Sequence, residues 1–184
     1  MFNAPKQSQA KEFFNSIYLQ HLSQFKSNGT SVWATDASVI GNKTGCGVCN
    51  ISSNENFLFK INSKCSSLMG ELNAINKAVD LMIEDGIQKA VIFTDSKNAC
   101  LLLKNNTSHN YLVNIINKKV NSSNLNHLTL VWVPSHVGIS SNERADYFAK
   151  QAADVGCVIP SSLAIKDACS TIYDALWNEW ALAF

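Results

Sequence analysis

The stretch LVWVPSHVGISSNERADYFAKQAA (residues 130–153) places a strand pattern, a loop and a helix pattern in direct succession. Apolar and β-branched residues run up to Pro134, and the loop that follows carries His136, a glycine and two serines. A helical pattern then begins, with Glu143 and Asp146 in its first turns. Alone, the acid can be a response to the helix dipole, and the histidine can be a loop residue that hydrogen-bonds to backbone. The rest of the chain has to show whether these residues belong to a shared site.

The composition indicates one globular domain. The chain has 184 residues and a hydrophobic content of 46%, which is enough for a sizeable core. No apolar run approaches the length of about 18 residues that a membrane span needs, and the amino terminus lacks the apolar centre of a signal peptide. We therefore expect a cytoplasmic or nuclear protein that is not secreted and has no membrane partner. The net charge of +1 does not by itself favour nucleic-acid binding, so any such function depends on local features.

The six cysteines are expected to be free and mostly buried thiols, as is usual in a reducing compartment. Cys46 and Cys49 form a C-x-x-C motif, but the motif lies in a strand-like run. No second C-x-x-C and no histidine pair completes the spacing of a zinc site. Structural thiols are therefore favoured over metal binding.

The apolar periodicity predicts an α/β fold. After an N-terminal helix over residues 11–25, we expect three strands, a helix, a strand, two helices, a strand and a helix that starts at residue 142. This order favours one mixed sheet with helices on both faces. Three regions are predicted: an N-terminal helical extension over residues 1–30, a central domain over 31–155, and a C-terminal amphipathic helix extension over 156–184. The first helix either covers the sheet or is the remnant of a connection to an upstream domain.

Four acids occupy positions that would bring them together. Asp36 interrupts the apolar strand VWATDAS, and Asp95 ends the apolar strand AVIFTD. Glu71 lies in the first turns of the long helix, beside Gly70, whose missing side chain would allow a close approach to the sheet. Asp146 lies in the first turns of the helix that follows the fifth strand. If the two strands are neighbours, the carboxylates of Asp36 and Asp95 converge at one end of the sheet.

Each acid also has an ordinary explanation, since Asp36 and Asp95 could start turns, Asp95 could cap a helix and Glu71 could be solvated. Jointly these explanations are weaker, because each acid falls where its element would enter one shared site. Carboxylates gathered without a basic partner repel one another and resist burial. Hard divalent cations with oxygen ligands resolve that conflict. Two magnesium ions in such a site would stabilise the attacking and leaving oxygens of a displacement at phosphorus.

Four segments together resemble type 1 ribonuclease H: ATDAS, GELNAI, FTDS and WVPSHVGISSNERADYFAK. They are most similar to the ribonuclease H domains of non-LTR retrotransposons, and the resemblance runs from about Val32 to Ala153. It implies a ribonuclease H-like, five-stranded mixed sheet with strand order 3-2-1-4-5, in which the second strand alone is antiparallel. Ala37 and Ser141 stand where glycine is usual, and no basic insert separates the two middle helices.

The resemblance also implies the chemistry. Asp36, Glu71, Asp95 and Asp146 match the metal-binding acids, which would hold two Mg²⁺ ions with Mn²⁺ as a substitute. His136 matches the active-site histidine, on a loop that suits proton handling or product release. The implied reaction is endonucleolytic hydrolysis of the RNA strand of an RNA–DNA hybrid, which leaves 5′-phosphate and 3′-hydroxyl ends.

Recognition of the hybrid would depend on contacts to 2′-hydroxyl groups and phosphates. The candidates for contacts to the substrate are the polar residues Asn42, Lys43, Ser67 and Ser96. Further candidates for phosphate contacts are the lysines Lys97, Lys118 and Lys119. For any single lysine, a solvated surface position is the simpler explanation.

Two other functions are compatible with the same fold. A hybrid- or protein-binding module without turnover would be expected to have lost an acid, whereas all four are present. A DNA nuclease or transposase would be expected to show three acids, and the spacing of His136 to Asp146 disfavours it. The resemblance further suggests an upstream reverse transcriptase domain, in a parent polyprotein, as a partner.

Overall fold

The computed structural model describes residues 6–105 and 110–160, together with residues 172, 173 and 177. The elements in chain order are α1 (Lys6–Ser27), β1 (Ser31–Ile40), β2 (Lys43–Asn50), β3 (Glu55–Ile61), α2 (Ser67–Glu84), β4 (Lys89–Thr94), α3 (Lys97–Lys104), α4 (Tyr111–Asn121), β5 (His127–Trp132), α5 (Ser140–Val155) and β6 (Cys157–Val158). Most of the predicted C-terminal helix lies outside the described residues. Within them, no helix combines the length and apolarity that crossing a membrane requires.

The strands form one sheet in the order β5-β4-β1-β2-β3-β6. Strand β2 runs antiparallel to both of its neighbours, whereas the other neighbouring pairs are parallel. The predicted order of the first five strands and the single antiparallel strand are therefore confirmed.

The predicted number of five strands is wrong, because β6 adds a sixth strand beside β3. It pairs Cys157 with Phe59 and Val158 with Lys60. A two-residue strand is too short to show a period of two in the sequence. Gly156 lets the chain reach this edge, since a Cβ atom there would lie 2.8 Å from the Phe59 carbonyl carbon.

Helices cover both faces of the sheet, as predicted. The α2 and α4 side holds a core built around Trp33, Leu72 and Ile116. The α1 and α5 side holds a second core that includes Tyr18 and Phe93. Strand β4 is buried from Ala90 onward, as expected for a strand with both faces covered.

Helix α5 lies unusually close to β2 because two positions of that strand are glycine. A Cβ atom on Gly47 would lie 2.3 Å from the Ala145 carbonyl oxygen, and one on Gly45 would lie 2.0 Å from the Ala149 carbonyl oxygen. Any side chain at these positions would push the helix outward. The two glycines therefore set the depth of the helix that carries Asp146.

The five cysteines among the described residues form no disulfide with one another. Cys46, Cys49 and Cys65 are buried, Cys100 is half-buried and Cys157 is exposed. The C-x-x-C motif lies within β2, so the structure agrees with the expectation of free thiols that are mostly buried.

Candidate active site

The structure brings three of the predicted acids close together. Asp36, Glu71 and Asp95 each offer a carboxylate oxygen, and these atoms all lie within 4.8 Å of one another. Among the described residues, no other group of three or more acidic, histidine or cysteine side chains is arranged to hold a metal ion. The predicted convergence of these three acids is therefore observed.

The strand register explains why Asp36 and Asp95 meet. The pairing of β1 with β4 ends at Ala34 and Phe93, and each acid stands two residues beyond that last pair. Asp36 does not start a turn, since β1 continues and pairs Asp36 with Gly47 of β2. The two carboxylates thus stand where the parallel strands separate.

Glu71 reaches the same place from α2 because Gly70 lets the helix approach the sheet. A Cβ atom on Gly70 would lie 2.9 Å from the Ala37 Cβ and 3.0 Å from the Thr44 Cγ2. The backbone N–H of Ala37 donates a hydrogen bond of 3.3 Å to Glu71 Oε1. The close approach predicted for Gly70 is confirmed, and the solvated position considered for Glu71 is excluded.

Burial makes this cluster electrostatically costly. Asp36 is 6% exposed and Glu71 is 5% exposed. Burial, and then the charge of Asp95, raises the pKa of Asp36 to about 7. Burial, and then the charges of Asp36 and Asp95, raises the pKa of Glu71 well above its usual value. A positive charge among these oxygens would oppose both shifts, because it favours the charged form of each carboxylate.

The donor set fits a hard divalent cation. Glu71 Oε2 is buried and has no hydrogen-bond partner. This oxygen is therefore available to donate a lone pair to a metal ion. The three residues supply oxygen donors alone, which is the preference of Mg²⁺ and Ca²⁺ and also suits Mn²⁺.

Asp146 lies near the cluster but forms an ion pair with Lys150. Its Oδ2 accepts a hydrogen bond of 2.6 Å from the Lys150 ammonium group, one turn further along α5. That hydrogen bond is also the main reason why the pKa of Lys150 is raised. The charge of Asp146 still contributes to the raised pKa of Asp36, so the two carboxylates lie within electrostatic range. Of the four predicted acids, three are therefore gathered within 4.8 Å of one another, and the fourth is paired with a lysine.

His136 lies on the loop between β5 and α5, with an exposed side chain. Its backbone is left-handed, with φ of 56°, which non-glycine residues rarely adopt. The loop is fastened to α5 by the Gly138 N–H, which donates a 3.1 Å hydrogen bond to Glu143 Oε1. Among the described residues, no hydrogen bond joins the His136 ring to the acids.

Two residues that the sequence analysis missed contact Asp95. The Asn142 side-chain amide donates a 3.3 Å hydrogen bond to Asp95 Oδ2, and Asn142 is 3% exposed. The Trp132 indole N–H donates a 3.0 Å hydrogen bond to the Asp95 carbonyl oxygen. Asn142 precedes Asp146 by four residues, so helical spacing could have placed both on one face. Trp132 begins the last segment that resembles ribonuclease H, but its position in the sequence does not predict a contact with Asp95.

The candidate substrate-binding residues lie in different settings. Asn42, Lys43 and Ser67 are exposed, and Lys43 forms an ion pair of 3.4 Å with Asp154. Ser96 caps α3, because its hydroxyl accepts a 3.4 Å hydrogen bond from the Ala99 N–H. The helix cap considered for Asp95 is thus provided by Ser96. None of these contacts involves the three clustered acids.

The lysines considered for phosphate contacts also differ. Lys97 and Lys118 are exposed. Lys119 pairs with Asp80 and donates a 2.8 Å hydrogen bond to Asn76. In the free protein, Lys119 therefore joins α4 to α2, and contact with a phosphate would require it to leave these partners.

Comparisons with known proteins concern the family and the fold of this chain. The family model described as RNase H matches residues 28–154. Among solved structures, the chain is similar to RNase H1 from the halophilic archaeon Halobacterium salinarum NRC-1, with 17% identity and a TM-score of 0.52. That similarity covers 68% of this chain and 98% of the archaeal chain, and at such low identity it shows the fold alone. No curated protein matches the sequence.

Proposed function

The chain belongs to the RNase H family, and on that premise we propose that it hydrolyses the RNA strand of RNA–DNA hybrids with two Mg²⁺ ions as cofactors. Mn²⁺ is the proposed substitute. One observation carries the proposal: Asp36, Glu71 and Asp95 are gathered within 4.8 Å, and a buried Glu71 oxygen has no partner. Such a cluster is costly for the free protein and useful to a protein that binds divalent cations.

The acids divide into two groups in the proposed site. Asp36, Glu71 and Asp95 would hold a cation with little change, because their oxygens already lie together. Asp146 would join after it exchanges the Lys150 ammonium group for a cation. When bound, divalent ions supply Lewis-acid chemistry, which lowers the pKa of water and stabilises charge on phosphoryl oxygens.

The proposed hydrolysis adds water to phosphorus and breaks the bond from phosphorus to the 3′ oxygen. The products would carry 5′-phosphate and 3′-hydroxyl ends. His136 would exchange protons or help the product to leave, and its exposed loop position leaves it accessible to a substrate. Asn42, Lys43, Ser67 and Ser96 remain the proposed contacts to the substrate, with recognition of RNA through its 2′-hydroxyl groups.

The leading alternative is a module that binds hybrids or proteins without turnover. Such a module would become more stable if its buried acids were replaced by neutral residues, since burial raises the pKa of both Asp36 and Glu71. The retention of these costly acids favours catalysis. We also propose a non-LTR retrotransposon origin and an upstream reverse transcriptase partner, which the resemblance of the sequence motifs supports. A cytoplasmic or nuclear location remains a separate proposal.

The test is a panel of labelled substrates of one sequence: RNA–DNA hybrid, double-stranded RNA, single-stranded RNA and double-stranded DNA. Each is incubated with the full chain and Mg²⁺, Mn²⁺ or a chelator. We expect cleavage of the RNA strand of the hybrid alone, with either metal and not with the chelator. With a label at the 3′ end of the RNA strand, phosphatase should change the mobility of the labelled product, because that product carries the new 5′-phosphate. Binding of hybrid without cleavage would support the silent module, and cleavage of DNA would support a DNA nuclease.

A further inference from the structure

Helix α1 precedes the family match at residues 28–154, yet it packs against a strand that leads to the active site. Tyr18 is 3% exposed, and its ring meets Phe93 edge-on with 5.1 Å between ring centroids. Phe25 meets the same Phe93 ring at 6.2 Å. Phe93 stands two residues before Asp95, so α1 packs directly against the end of β4.

The hydroxyl group of Tyr18 lies at the start of α5. Burial raises the pKa of Tyr18, and the side chains of Ser141 and Ser140 counteract that rise through hydrogen bonding. Tyr18 OH and Ser141 Oγ are both buried, yet neither has a hydrogen-bond partner of normal geometry. Because hydroxyl groups rotate freely, two adjacent buried hydroxyls can satisfy each other with a small adjustment or through one ordered water.

Ser141 is followed directly by Asn142, whose amide donates to Asp95 Oδ2 at 3.3 Å. Asn142 is itself buried, and its own oxygen has no partner. Tyr18 is thus connected to Asp95 by two routes, one through Phe93 of β4 and one through Ser141 and Asn142 of α5.

We propose that α1 is a positioning element of the active site, in which Tyr18 fixes the end of β4 and the start of α5 so that Asn142 keeps the Asp95 carboxylate directed at Asp36 and Glu71. Tyr18 touches no reacting group and acts through Ser141 and Phe93. The inference rests on the proposed function for the reaction that it affects. It goes beyond that function by assigning a role to a helix outside the family match.

The test is Tyr18→Phe in the full chain, which keeps the ring on Phe93 and removes the hydroxyl group. We expect kcat on hybrid to fall by about 2- to 10-fold, the range expected for one hydrogen bond, with KM unchanged. Mg²⁺ affinity measured by calorimetry should weaken by a similar factor. The matched control is Leu22→Ala, which loses apolar packing from the same helix face. It should lower the melting temperature but leave kcat and Mg²⁺ affinity unchanged well below that temperature.

Ser141→Ala completes a double-mutant cycle. Tyr18→Phe should have little further effect on kcat or Mg²⁺ affinity in the Ser141→Ala background. A third measurement follows the NMR signal of the Asn142 side-chain amide, which should shift in Tyr18→Phe and not in Leu22→Ala. Equal effects of Tyr18→Phe and Leu22→Ala, or fully additive effects with Ser141→Ala, would overturn the proposal. If the wild-type chain cuts no hybrid, the proposed function fails, while the amide signal and metal affinity still decide the role of α1.

Discussion

At the scale of single residues, Asp36 links the active site to stability. Its pKa is raised to about 7, first by burial and then by the charge of Asp95. In an unfolded chain an aspartate carboxyl group titrates near pH ~4. Between these two values the folded protein retains a proton that the unfolded chain has released. The free energy of unfolding of the metal-free protein should therefore decrease as the pH rises from about 4 to about 7.

This pH dependence is checked by thermal unfolding in a chelator at several pH values between 5 and 7.5. The melting temperature should fall across that interval, and Asp36→Asn should reduce the slope. Glu71 contributes in the same direction, since its pKa is also raised, so the variant should keep part of the slope. A wild-type melting temperature that does not fall with pH, or that falls no more steeply than that of the variant, would contradict the buried cluster.

Substitutions of His136 and of Asp146 should differ in their effects on metal binding. His136 is exposed on its loop, whereas Asp146 is a carboxylate in electrostatic range of Asp36. We expect His136→Ala to lower turnover by about 10- to 10⁴-fold, as loss of a proton-transfer group does, with metal binding retained. Asp146→Asn should lower turnover and also weaken metal binding. Calorimetric Mg²⁺ titration in the presence of hybrid measures the difference, and equal loss of metal binding in the two variants would refute this division.

At the scale of elements, the contact between α5 and β2 depends on glycine. A Cβ atom on Gly47 would lie 2.3 Å from the Ala145 carbonyl oxygen and 2.6 Å from the Ala149 nitrogen. Both contacting atoms are backbone, so a change of side-chain rotamer cannot relieve the overlap. Gly47→Ala should destabilise the fold by about 1–3 kcal/mol, as overpacking commonly does. Chemical denaturation measures this change, and unaltered stability would show that this contact does not set the distance of α5 from the sheet.

The sequence predicted those elements whose apolar pattern is long enough to show its period. Helix α2 and strand β4 are examples, and the order of the first five strands followed from the resemblance. Strand β6 escaped prediction because two residues carry no period. Its place beside β3 depends instead on Gly156, whose close contact with Phe59 exists only in the folded chain.

The sequence likewise predicted part of the active site. Asp36 and Asp95 could be placed together because parallel neighbouring strands bring their ends to the same edge. Spacing along the chain does not reveal which partner a mobile side chain chooses. Asp146 and Lys150 stand four residues apart on one helix, a spacing that favours an ion pair, but spacing alone does not show that this pair competes with the acidic cluster. The hydrogen bond from Asn142 to Asp95 joins two different elements and emerged only from the structure.

At the scale of the whole molecule, charge gives little help to nucleic-acid binding. The net charge is +1, and Lys43 and Lys119 are already paired with Asp154 and Asp80. Binding of hybrid must displace such pairs or rely on other groups. In the proposed function, cations bound by the acids of the active site would reduce the repulsion that a polyanionic substrate meets there.

The most direct measurement of the central claim compares the wild-type chain with Asp95→Asn on one labelled RNA–DNA hybrid over a range of Mg²⁺ concentrations. The wild-type chain should cut the RNA strand only when Mg²⁺ is present. Asp95→Asn should not cut it, yet should unfold at the same or a higher temperature, because the substitution removes one of several repelling charges. Cleavage that persists in Asp95→Asn, or a folded wild-type chain that cuts no hybrid with Mg²⁺ or Mn²⁺, would contradict the claim that this acidic cluster is a catalytic metal site.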